Sequence, residues 1–384
     1  MKIKLKQAFD LQMGKTPARN QAENWGGNHR WVSIADIGNA EKYIAKTKEC
    51  ITDAGINASG IKVVPQGTVI MSFKLSIGKT AITAQDMYTN EAIIAFIDKK
   101  IFEIDPNYLY HLCCGTDWTA GTNKAVMGLT LNKATLLEKE ISLPDICQQR
   151  KIAAKLDKID AIIADRQQQL TMIEQAVKSR FIELFGNYIN EGGKPLSELA
   201  TITGGLTKNS KRNAFNLKMP YLRVANVFFN RLDLNEILEI GVREDEIGKT
   251  LLQTGDLLFV EGNGSIEQIG RVAIWDGSIS PILHQNHLIK ARFHKKTILP
   301  EFALFYFMSQ EGRQQIISKS VSTSGLNTLS VNKISSLILP MPPIELQKQF
   351  AAFVAQTDKS KLAVQQGLQE LETLKKSLMQ QYFG

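Results

Sequence analysis

Hydrophobic and polar positions follow two different patterns along this chain of 384 residues. In residues 149–186 and 347–384, apolar side chains recur every three or four positions, as on one face of an amphipathic helix. The first segment has no Gly or Pro before its last residue, and Gly367 alone interrupts the second. A helix of 38 residues is about 57 Å long at about 1.5 Å per residue. The pattern predicts two long helices with a coiled-coil-like seam.

We expect the two helices to pair with each other in antiparallel orientation. A helix of that length extends beyond a domain of about 150 residues, so packing on one domain does not account for the continuous stripe. The predicted seam consists of Ile152, Leu156, Ile159, Ile163, Leu170, Ile173 and Val177 in the first helix and Phe350, Val354, Val364, Leu368, Leu371 and Leu378 in the second.

The remaining segments have a different pattern. Short β-branched and aromatic runs, such as Val69–Phe73 and Leu257–Val260, lie between Gly, Asn and Asp residues. This pattern is typical of mixed α/β domains with substantial strand content. The predicted organisation is an α/β domain in residues 1–146, a helix in 147–186, a second α/β domain in 187–340 and a second helix in 341–384.

The two halves of the chain repeat each other. The string LPDICQQRKIAAKLDKID at Leu143–Asp160 is matched by MPPIELQKQFAAFVAQTD at Met341–Asp358. With an offset of 198 positions, residues 149–186 align with 347–384 without a gap and are identical at 12 of 38 positions. An internal repeat of this kind predicts a chain built from two copies of one unit.

Shorter matches occur in the same order with changing offsets, which indicates loops of different length. They align Leu5–Gly14 with Leu196–Gly205, Arg30–Gly38 with Pro220–Phe228, Pro65–Phe73 with Gln253–Glu261, Ile77–Ile82 with Ile269–Ile274, Thr89–Ile94 loosely with Gln285–Lys290, and Leu131–Pro144 with Val331–Pro342.

Charge and cysteine content restrict the class of protein. The net charge is +8, with 24 Lys and Arg against 20 Asp and Glu up to residue 186 and 22 against 18 beyond it. This equal basic excess favours a polyanionic partner that both halves bind. Four cysteines without CxxC spacing favour reduced thiols in the cytoplasm. No apolar run approaches the length of about 20 residues that a membrane-spanning helix needs.

No string indicates a catalytic or metal site. The strings MGKTP and SIGKT have Phe9 and Phe73 where a phosphate-binding loop requires its first glycine. His284 and His287 form an HxxH pair without a third ligand at a zinc-like spacing. Neither a GxSxG nucleophile string nor an Asn/Asp-Pro-Pro-Phe/Tyr string occurs. We therefore expect a chain that binds its partner without catalysis and holds no metal.

The arrangement as a whole resembles the specificity subunit of type I restriction–modification enzymes. The most specific elements are Leu143–Ala153 and its copy Met341–Ala351, in which a proline-marked stop precedes a glutamine and the start of a long helix. The family has an acidic residue before the glutamine, where this chain has Gln148 and Leu346. The openings MGKTP and TGGLTK are similar to the GGTP-type start of the family's recognition domains.

The resemblance implies a division of labour. Each globular segment would be a target-recognition domain for one half of a split, asymmetric site in double-stranded DNA. The helices would set the gap between the half-sites and dock two methyltransferase subunits, which bring S-adenosylmethionine. Motor–nuclease subunits, which use ATP and Mg²⁺, would cut unmodified DNA. The chain itself would bind no cofactor, catalyse nothing and act in the cytoplasm, away from any membrane.

Lysine, arginine and amide side chains in loops are the expected contacts to phosphates and base edges. The string TKNSKRN at Thr207–Asn213 is the strongest candidate, because it places three basic side chains within seven residues beside a Gly-Gly turn. The candidates are Lys15, Arg19, Asn20, Asn28, Arg30, Lys74, Lys79 and Lys124 in the first domain, and Lys208, Lys211, Arg212, Arg223, Asn226, Arg231, Asn263, Arg271, Gln285 and Asn286 in the second.

Other functions are compatible with parts of the sequence. A coiled-coil scaffold with two protein-binding domains would contain the helices and the repeat, but it would not require the basic charge of each half. A self-contained nuclease would need an active site that the sequence does not display. The same specificity module could also belong to a related two-protein restriction system.

Overall fold

The computed structural model of the chain describes residues 1–74, 76–119, 131–294, 297–323 and 325–384. They form two compact units, Met1–Gln169 with Val364–Gly384, and Leu170–Ala363. Each long helix contributes to both units, whereas the sequence prediction treated each helix as a segment of its own. Lys124, one of the candidate DNA contacts, lies outside the described residues.

The first unit combines a five-stranded sheet with two smaller sheets. Its strands are β1 (Lys2–Lys4), β2 (Phe9–Met13), β3 (Trp25–Val32), β4 (Tyr43–Ile44), β5 (Glu49–Ile51), β6 (Val69–Ser72), β7 (Thr80–Thr83), β8 (Tyr88–Thr89), β9 (Ile93–Asp98) and β10 (Glu140–Ser142). Its short helices are α1 (Leu5–Ala8), α2 (Ile34–Asn39), α3 (Asp53–Ser59), α4 (Pro106–Gly115) and α5 (Lys133–Glu138), with a 3₁₀ turn at Ala22–Asn24. The strand orders are β2-β9-β6-β7-β4, β5-β3-β8 and β1-β10. All residues of β6 and β7 are buried, which explains why neither strand shows the alternation of apolar and polar residues expected of a strand with one face in water.

The long helix α6 (Ile146–Ile189) leads into the second unit. The strands there are β11 (Lys194–Pro195), β12 (Ala200–Gly204), β13 (Lys218–Leu222), β14 (Val227–Phe228), β15 (Arg231–Leu232), β16 (Leu238–Gly241), β17 (Leu257–Val260), β18 (Gly262–Asn263), β19 (Val272–Ile274), β20 (Leu283–His284), β21 (Leu288–Phe293), β22 (Val321–Thr323), β23 (Leu326–Thr328) and β24 (Ile338–Leu339). The helices are α7 (Leu196–Leu199), α8 (Glu244–Thr250), α9 (Pro300–Met308), α10 (Gln310–Lys319), α11 (Val331–Ser335) and the long α12 (Ile344–Phe383), with 3₁₀ turns at Ser210–Ala214, Val224–Asn226 and Ile266–Gln268.

Both units contain the same sheet frame. The order β2-β9-β6-β7 in the first unit corresponds to β12-β21-β17-β19 in the second. In each smaller sheet, the central strand pairs antiparallel with one neighbour and parallel with the other: β3 with β5 and β8, and β13 with β16 and β20. The mixed α/β class and the internal repeat predicted from the sequence are therefore confirmed.

Backbone hydrogen bonds define the correspondence between the halves more closely than the sequence alignment does. Ile93 N donates to Asn90 O at 3.1 Å, and Leu288 N donates to Gln285 O at 2.9 Å. Asn90 therefore corresponds to Gln285, and the loose sequence alignment of these segments is wrong by one position. The side chains before the strand share no identity that could have fixed the register.

A second correction concerns the segment before the long helices. The amides of Leu131 and Leu329 donate to equivalent carbonyls, one residue beyond β6 and one residue beyond β17. Leu131 therefore corresponds to Leu329, and its alignment with Val331 is wrong by two positions. The shared Asn-Lys pair caused the error, because the side chain that caps the following helix is Asn132 in the first copy and Ser330 in the second. The offset of 198 thus already applies at residue 131.

The two long helices run antiparallel, as predicted. Asp160 of α6 forms an ion pair with Lys375 of α12 at 2.5 Å, and Glu174 pairs with Lys361 at 2.7 Å. An advance of 14 residues along α6 is thus matched by a retreat of 14 along α12, which is two heptads of one register. Among the described residues, no helix combines the length and apolarity needed to cross a bilayer.

The predicted seam residues lie on the inner faces of the helices. In the first unit, Leu156, Ile159 and Leu378 are buried together, with Ile152 and Ile163 packed against them. In the second unit, Val177, Phe350 and Val354 belong to the main core. The other predicted positions, Leu170, Ile173, Val364, Leu368 and Leu371, are half-buried. The stripe is therefore continuous but most deeply buried where domain residues add to it.

Aromatic rings attach the helices to the second domain. Phe181 and Phe185 of α6 and Phe350 of α12 pack against Phe302 and Phe305 of α9, with ring centroids 4.7–6.4 Å apart. Such edge-to-face and tilted ring pairs each contribute about 0.5–1.5 kcal/mol beyond their buried area.

The corresponding contact in the first unit is polar. His111 of α4 occupies the position of Phe305, and Asp157 of α6 that of Ala355. His111 Nε2 and Lys42 Nζ donate to the same Asp157 oxygen, at 2.7 and 2.5 Å. Burial raises the pKa of Asp157, but the hydrogen bonds from Lys42 and His111 outweigh burial and hold that pKa below its ordinary value. Burial lowers the pKa of His111, so the imidazole is neutral near pH 7.

A buried glutamine ties the first turn of α6 to the domain before it. The Gln149 side chain is fully buried. Its Oε1 accepts a hydrogen bond from Asp105 N at 2.9 Å, and its Nε2 donates to Glu103 O and to Pro144 O, both at 2.9 Å. The side-chain amide therefore connects the loop before α4 with the proline that precedes α6.

The same arrangement recurs at the start of α12. Gln347 is fully buried, and its Oε1 accepts from Leu299 N at 2.8 Å. Its Nε2 donates to Thr297 O and Pro342 O, both at 2.9 Å. We call this buried side-chain amide, with its three backbone partners, the glutamine joint. It accounts for the glutamine in both copies of the repeated string.

Replacing Gln347 with Leu keeps the volume of the side chain but leaves one amide and two carbonyls of the glutamine joint without a partner. We expect the free energy of unfolding to fall by about 3 kcal/mol or more, because each unsatisfied buried group costs about 1–3 kcal/mol. The measurement is urea denaturation of the whole chain followed by circular dichroism. Gln349→Leu, at an exposed position of the same helix, is the matched control and should change stability by less than about 0.5 kcal/mol. Equal losses in both variants would contradict the role of the joint.

Candidate nucleic-acid interface

In the first domain, Arg19 is the candidate whose position is most firmly set. Its guanidinium lies 4.0 Å from the ring centroid of Trp25 and 4.9 Å from that of Trp31. The two oxygens of Glu49 accept hydrogen bonds from its terminal nitrogens at 2.6 and 3.1 Å. The side chain is nevertheless 53% exposed. Arg19 thus presents an oriented cation to solvent before any ligand binds.

Lys15 borders an open surface cleft of about 600 Å³. Its Nζ donates to Ser59 O at 2.9 Å. Thr16 and Glu91 also line the cleft, and the hydroxyl of Thr16 donates to the carboxylate of Glu91. Lys15 therefore places a positive charge at the rim of a polar cleft.

The other described candidates of this domain are distributed over its surface. Asn20, Asn28 and Lys79 are exposed, and Arg30 and Lys74 are half-buried. They remain predicted DNA contacts.

The repeated openings of the two domains are points where two chain segments touch, and not phosphate loops. A Cβ atom at Gly14 would lie 1.9 Å from Thr89 O, and one at Gly205 would lie 2.0 Å from His284 O. The next residue in each copy donates its backbone N–H to the same carbonyl, at 2.9 and 2.8 Å. Only glycine permits this approach, which gives the shared glycine of MGKTP and TGGLTK a structural reason.

The basic string TKNSKRN is divided between surface and interior. Lys208 and Lys211 are exposed. Arg212 is buried and donates to both oxygens of Glu246, at 2.9 and 3.0 Å, and to Gly241 O at 3.0 Å. The hydrogen bond from Arg212 is the main reason that the pKa of Glu246 falls to about 2. The prediction of Arg212 as a DNA contact is therefore corrected: this side chain holds α8 inside the domain.

Asn226 is corrected for a similar reason. It is buried, its Oδ1 accepts from Arg223 N at 2.8 Å, and its Nδ2 donates to two backbone carbonyls at 2.8 and 3.0 Å. Its counterpart in the first domain, Asp36, accepts the equivalent bond from Ser33 N at 2.8 Å. Both side chains close a helical turn after the central strand of the smaller sheet, so this position is structural.

Four further candidates of the second domain are at least partly accessible. Arg223 donates to Glu236 at 2.7 Å, and Asn263 accepts from the backbone amide two residues later at 2.9 Å. Gln285 and Asn286 are half-buried. They remain predicted DNA contacts.

The last two candidates, Arg231 and Arg271, are joined by an arginine that sequence reasoning missed. The guanidinium carbons of Arg231 and Arg271 lie 4.4 and 5.2 Å from the ring centroid of Phe228. That of Arg313 lies 5.0 Å from the ring centroid of Phe229. Arg313 belongs to α10, far along the chain from these rings, and nothing in the sequence links it to them.

The HxxH pair does not form a metal site. His284 is fully buried in β20 and donates from Nδ1 to Thr250 O at 2.8 Å, and burial lowers its pKa to about 4. His287 is exposed and contacts Glu261 at 2.7 Å. Across the part of the chain that the structure describes, no three His, Cys, Asp or Glu side chains form a group that could hold a metal ion.

The duplicated frame has counterparts among known proteins. Residues 1–175 and 193–373 match the family described as type I restriction modification DNA specificity domain. The chain is 29% identical over 269 residues to the EcoKI specificity subunit of a type I restriction enzyme from Escherichia coli K12. This alignment covers 63% of this chain and 56% of that protein. It is 24% identical over 383 residues to the MjaIX specificity subunit from Methanocaldococcus jannaschii, which covers 91% of this chain and 85% of that protein.

Two solved structures share the fold over the whole chain. One, described as showing complex assembly and conformational transition of a type I restriction–modification system, superposes with a TM-score of 0.65 at 17% identity and covers 100% of this chain and 97% of that one. The other, a type I S subunit from M. genitalium, gives a TM-score of 0.55 at 14% identity over 100% of this chain and 96% of that one.

Buried His284 should make stability depend on pH. Its pKa of about 4 in the folded state lies below the ordinary value of 6.5, so the unfolded state binds more protons between these values. Stability is therefore complete above pH 6.5 and falls as pH decreases towards 4, by about 3 kcal/mol at most. We expect His284→Gln, which retains a donor for Thr250 O, to flatten this part of the curve. Urea denaturation between pH 4.5 and 8 measures the free energy of unfolding of the wild type and of His284→Gln. Parallel curves of stability against pH would show that His284 does not cause the pH dependence.

Proposed function

Because the chain belongs to the family of type I restriction modification DNA specificity domains, we propose that it is the DNA-recognition subunit of a type I restriction–modification enzyme. The observation that carries this proposal is the duplicated α/β domain on an antiparallel pair of long helices. Each domain carries exposed basic and amide side chains, which suit phosphate and base contacts. In this proposal, each domain recognises one half of a split DNA site.

The helix pair would set the distance between the half-sites. Two domains on a stiff support recognise two short sequences only at one separation and one rotational phase, because DNA makes one turn in about 34–36 Å. Within each unit, the antiparallel pairing of α6 with α12 and the glutamine joint at the start of a long helix support such stiffness. A flexible linker in the same place would allow several gaps and would weaken the selection of one.

The same helices are the proposed docking site of two methyltransferase subunits. Four large apolar side chains on them are exposed: Met172 at 58%, Ile182 at 65%, Leu362 at 56% and Leu374 at 48%. We propose that a protein partner covers these side chains in the assembly. Motor–nuclease subunits would join the assembly through these partners.

Chemistry would be supplied by the partners. We propose that S-adenosylmethionine is bound by the methyltransferase subunits, that ATP and Mg²⁺ are used by the motor–nuclease subunits, and that this chain binds no cofactor and is not catalytic. The assembly would act on DNA in the cytoplasm, where reduced thiols agree with the four free cysteines.

Lengthening both helices should change the gap and not the half-sites. Four residues inserted after Gln169 and four after Gln365, which face each other in the register set by the two ion pairs, add one turn of about 6 Å. Because base pairs are about 3.4 Å apart, we expect a gap longer by about one or two base pairs. Sequencing of the methylated positions, with the methyltransferase subunit present, measures the gap. Replacing four existing residues at these places is the control, and altered half-sites at an unchanged gap would reject the spacer role.

Exchange of one domain should alter one half-site only. If residues 1–142 are replaced by the corresponding domain of a relative, we expect one half of the methylated sequence to change and the other half and the gap to remain. The same sequencing experiment detects the change. If the chain were a protein-binding scaffold, the exchange would leave the methylated sequence as it was.

A further inference from the structure

The hairpin of β14 and β15 carries an unusual set of cations. Phe228 pairs with Arg231 across the hairpin, and the turn between them consists of Phe229 and Asn230. Asn230 has a φ of 47°, a left-handed conformation that asparagine tolerates better than most residues. Its N–H donates to Val272 O at 2.9 Å, which fixes the turn on β19. The two rings are therefore held in a defined place at the domain surface.

Three guanidiniums surround these two rings. Those of Arg231 and Arg271 both lie within 5.2 Å of the Phe228 centroid, so their carbons are within about 10 Å of each other. That of Arg313 lies 5.0 Å from the neighbouring Phe229 ring. Each ring face attracts a cation by about 0.5–2 kcal/mol, which orients the guanidiniums without using their hydrogen-bond donors. We call Arg231, Arg271 and Arg313 the arginine cluster.

Among the described residues, no carboxylate forms an ion pair with the arginine cluster. By contrast, Arg212, Arg223, Arg243 and Arg292 of the same unit each pair with a carboxylate. Arg271 Nη2 and Arg313 Nη2 donate to the backbone carbonyls of Val224 and Glu267, at 3.0 and 3.1 Å.

Two of the cluster's nitrogens are buried without any protein acceptor in the described part of the chain, Arg271 Nε and Arg313 Nη1. Burial lowers the pKa of both side chains. A desolvated cation without a partner is costly. The domain maintains this cost in the free state, and the charge of an anion bound at the exposed Arg231, beside Arg271, would offset part of it.

The repeat places a cation at the same point in the first domain. Lys79 and Arg271 occupy equivalent positions in the strings IGKTAI and IGRVAI, and Gly38 corresponds to Phe228. Lys79 Nζ lies 2.7 Å from the place that a Cβ atom of Gly38 would occupy. Both copies thus direct a basic side chain over the residue that ends the same aligned segment, although the surrounding residues differ.

We propose that the arginine cluster is an anion site that binds the phosphate backbone of DNA at the second half-site. This inference rests on the proposed function for the identity of the anion. Guanidinium groups match phosphate oxygens with two parallel hydrogen bonds, and Arg231 and Arg271, which share the Phe228 ring, would contact one short stretch of the backbone. Such a site positions the domain on the duplex and carries no base specificity.

The first test measures binding of a duplex that contains the methylated site, over a range of salt concentrations. Each lost phosphate contact makes the negative slope of log K against log salt shallower by about 0.9. At 0.1 M salt this corresponds to an affinity about eightfold lower. We expect this for Arg231→Gln, Arg271→Gln and Arg313→Gln, with the methylated sequence unchanged. The control is Arg243→Gln, an exposed arginine of the same domain that pairs with Asp245, which should keep the slope. Unchanged slopes in all three variants would overturn the proposal.

The second test does not depend on DNA. Inorganic phosphate should raise the melting temperature of the wild-type chain above that in chloride of equal ionic strength, and Arg271→Lys and Arg231→Gln should reduce this rise. Arg271→Lys keeps the charge, so a well-folded protein is expected if the glutamine variant is unstable. Phosphate is excluded from protein surfaces and stabilises proteins in general, so only the part of the rise that the variants lose counts. A rise that the variants lose, without specific DNA binding, would support the anion site and refute the proposed function. Specific DNA binding with equal phosphate effects in wild type and variants would refute the site alone.

Discussion

The fold depends on one side-chain amide at the start of each long helix. A proline-marked loop leaves backbone groups near the helix start without partners in a sheet or helix, and the side chain that reaches them is fully buried in both copies. An amide satisfies both kinds of group at once, since Gln149 and Gln347 each accept one hydrogen bond and donate two. Glutamate would lack the donor, leucine would lack both, and asparagine is one methylene too short for the same reach. The glutamine joint therefore ties a helix to its domain by backbone geometry, which does not change when the surface of the domain does.

This independence explains how two copies of one frame have come to differ so much around it. Beyond the joint, the first copy uses His111, Asp157 and Lys42, and the second uses phenylalanines. The polar contact depends on directed hydrogen bonds to Asp157, whereas the aromatic cluster depends on the packing of rings. Both solutions hold a short helix against a long one, because the direction of approach has already been determined by the joint.

The sequence was sufficient to predict the helices and the repeat, because these depend on periodicity and on identical residues. The apolar stripe from Ile152 to Val177 is a property of spacing alone, and so is its antiparallel partner. The finer correspondence was not predictable: the Asn-Lys pair at Asn132 and its apparent copy at Asn332 suggested a register that hydrogen bonding does not support. Backbone pairing decides such cases, and the sequence contains no direct record of it.

The candidate site shows the same limit for charge. A basic residue in a loop has the same appearance in sequence whether it is neutralised inside the domain or left for a ligand. Arg212 lies in a 3₁₀ turn and Arg231 in the two-residue strand β15 of the same domain. The first is buried against Glu246, and the second lies over Phe228, without a carboxylate partner among the described residues. The two arginines differ in the residue that each one contacts, and the fold determines which residues come into contact.

In this domain, a carboxylate neutralises the buried Arg212, whereas an aromatic ring orients Arg231 without neutralising it. Arg212 is therefore a structural residue, and Arg313, which no motif singled out, shares the ring contact of the proposed anion site. Arg19 combines both devices, since it is stacked on Trp25 and also paired with Glu49. Its carboxylate lowers the affinity of that position for any phosphate. At Arg19 the first domain therefore presents a cation that is already paired, whereas the arginine cluster of the second domain has no carboxylate partner among the described residues, so the two places differ in the charge that they offer to a phosphate.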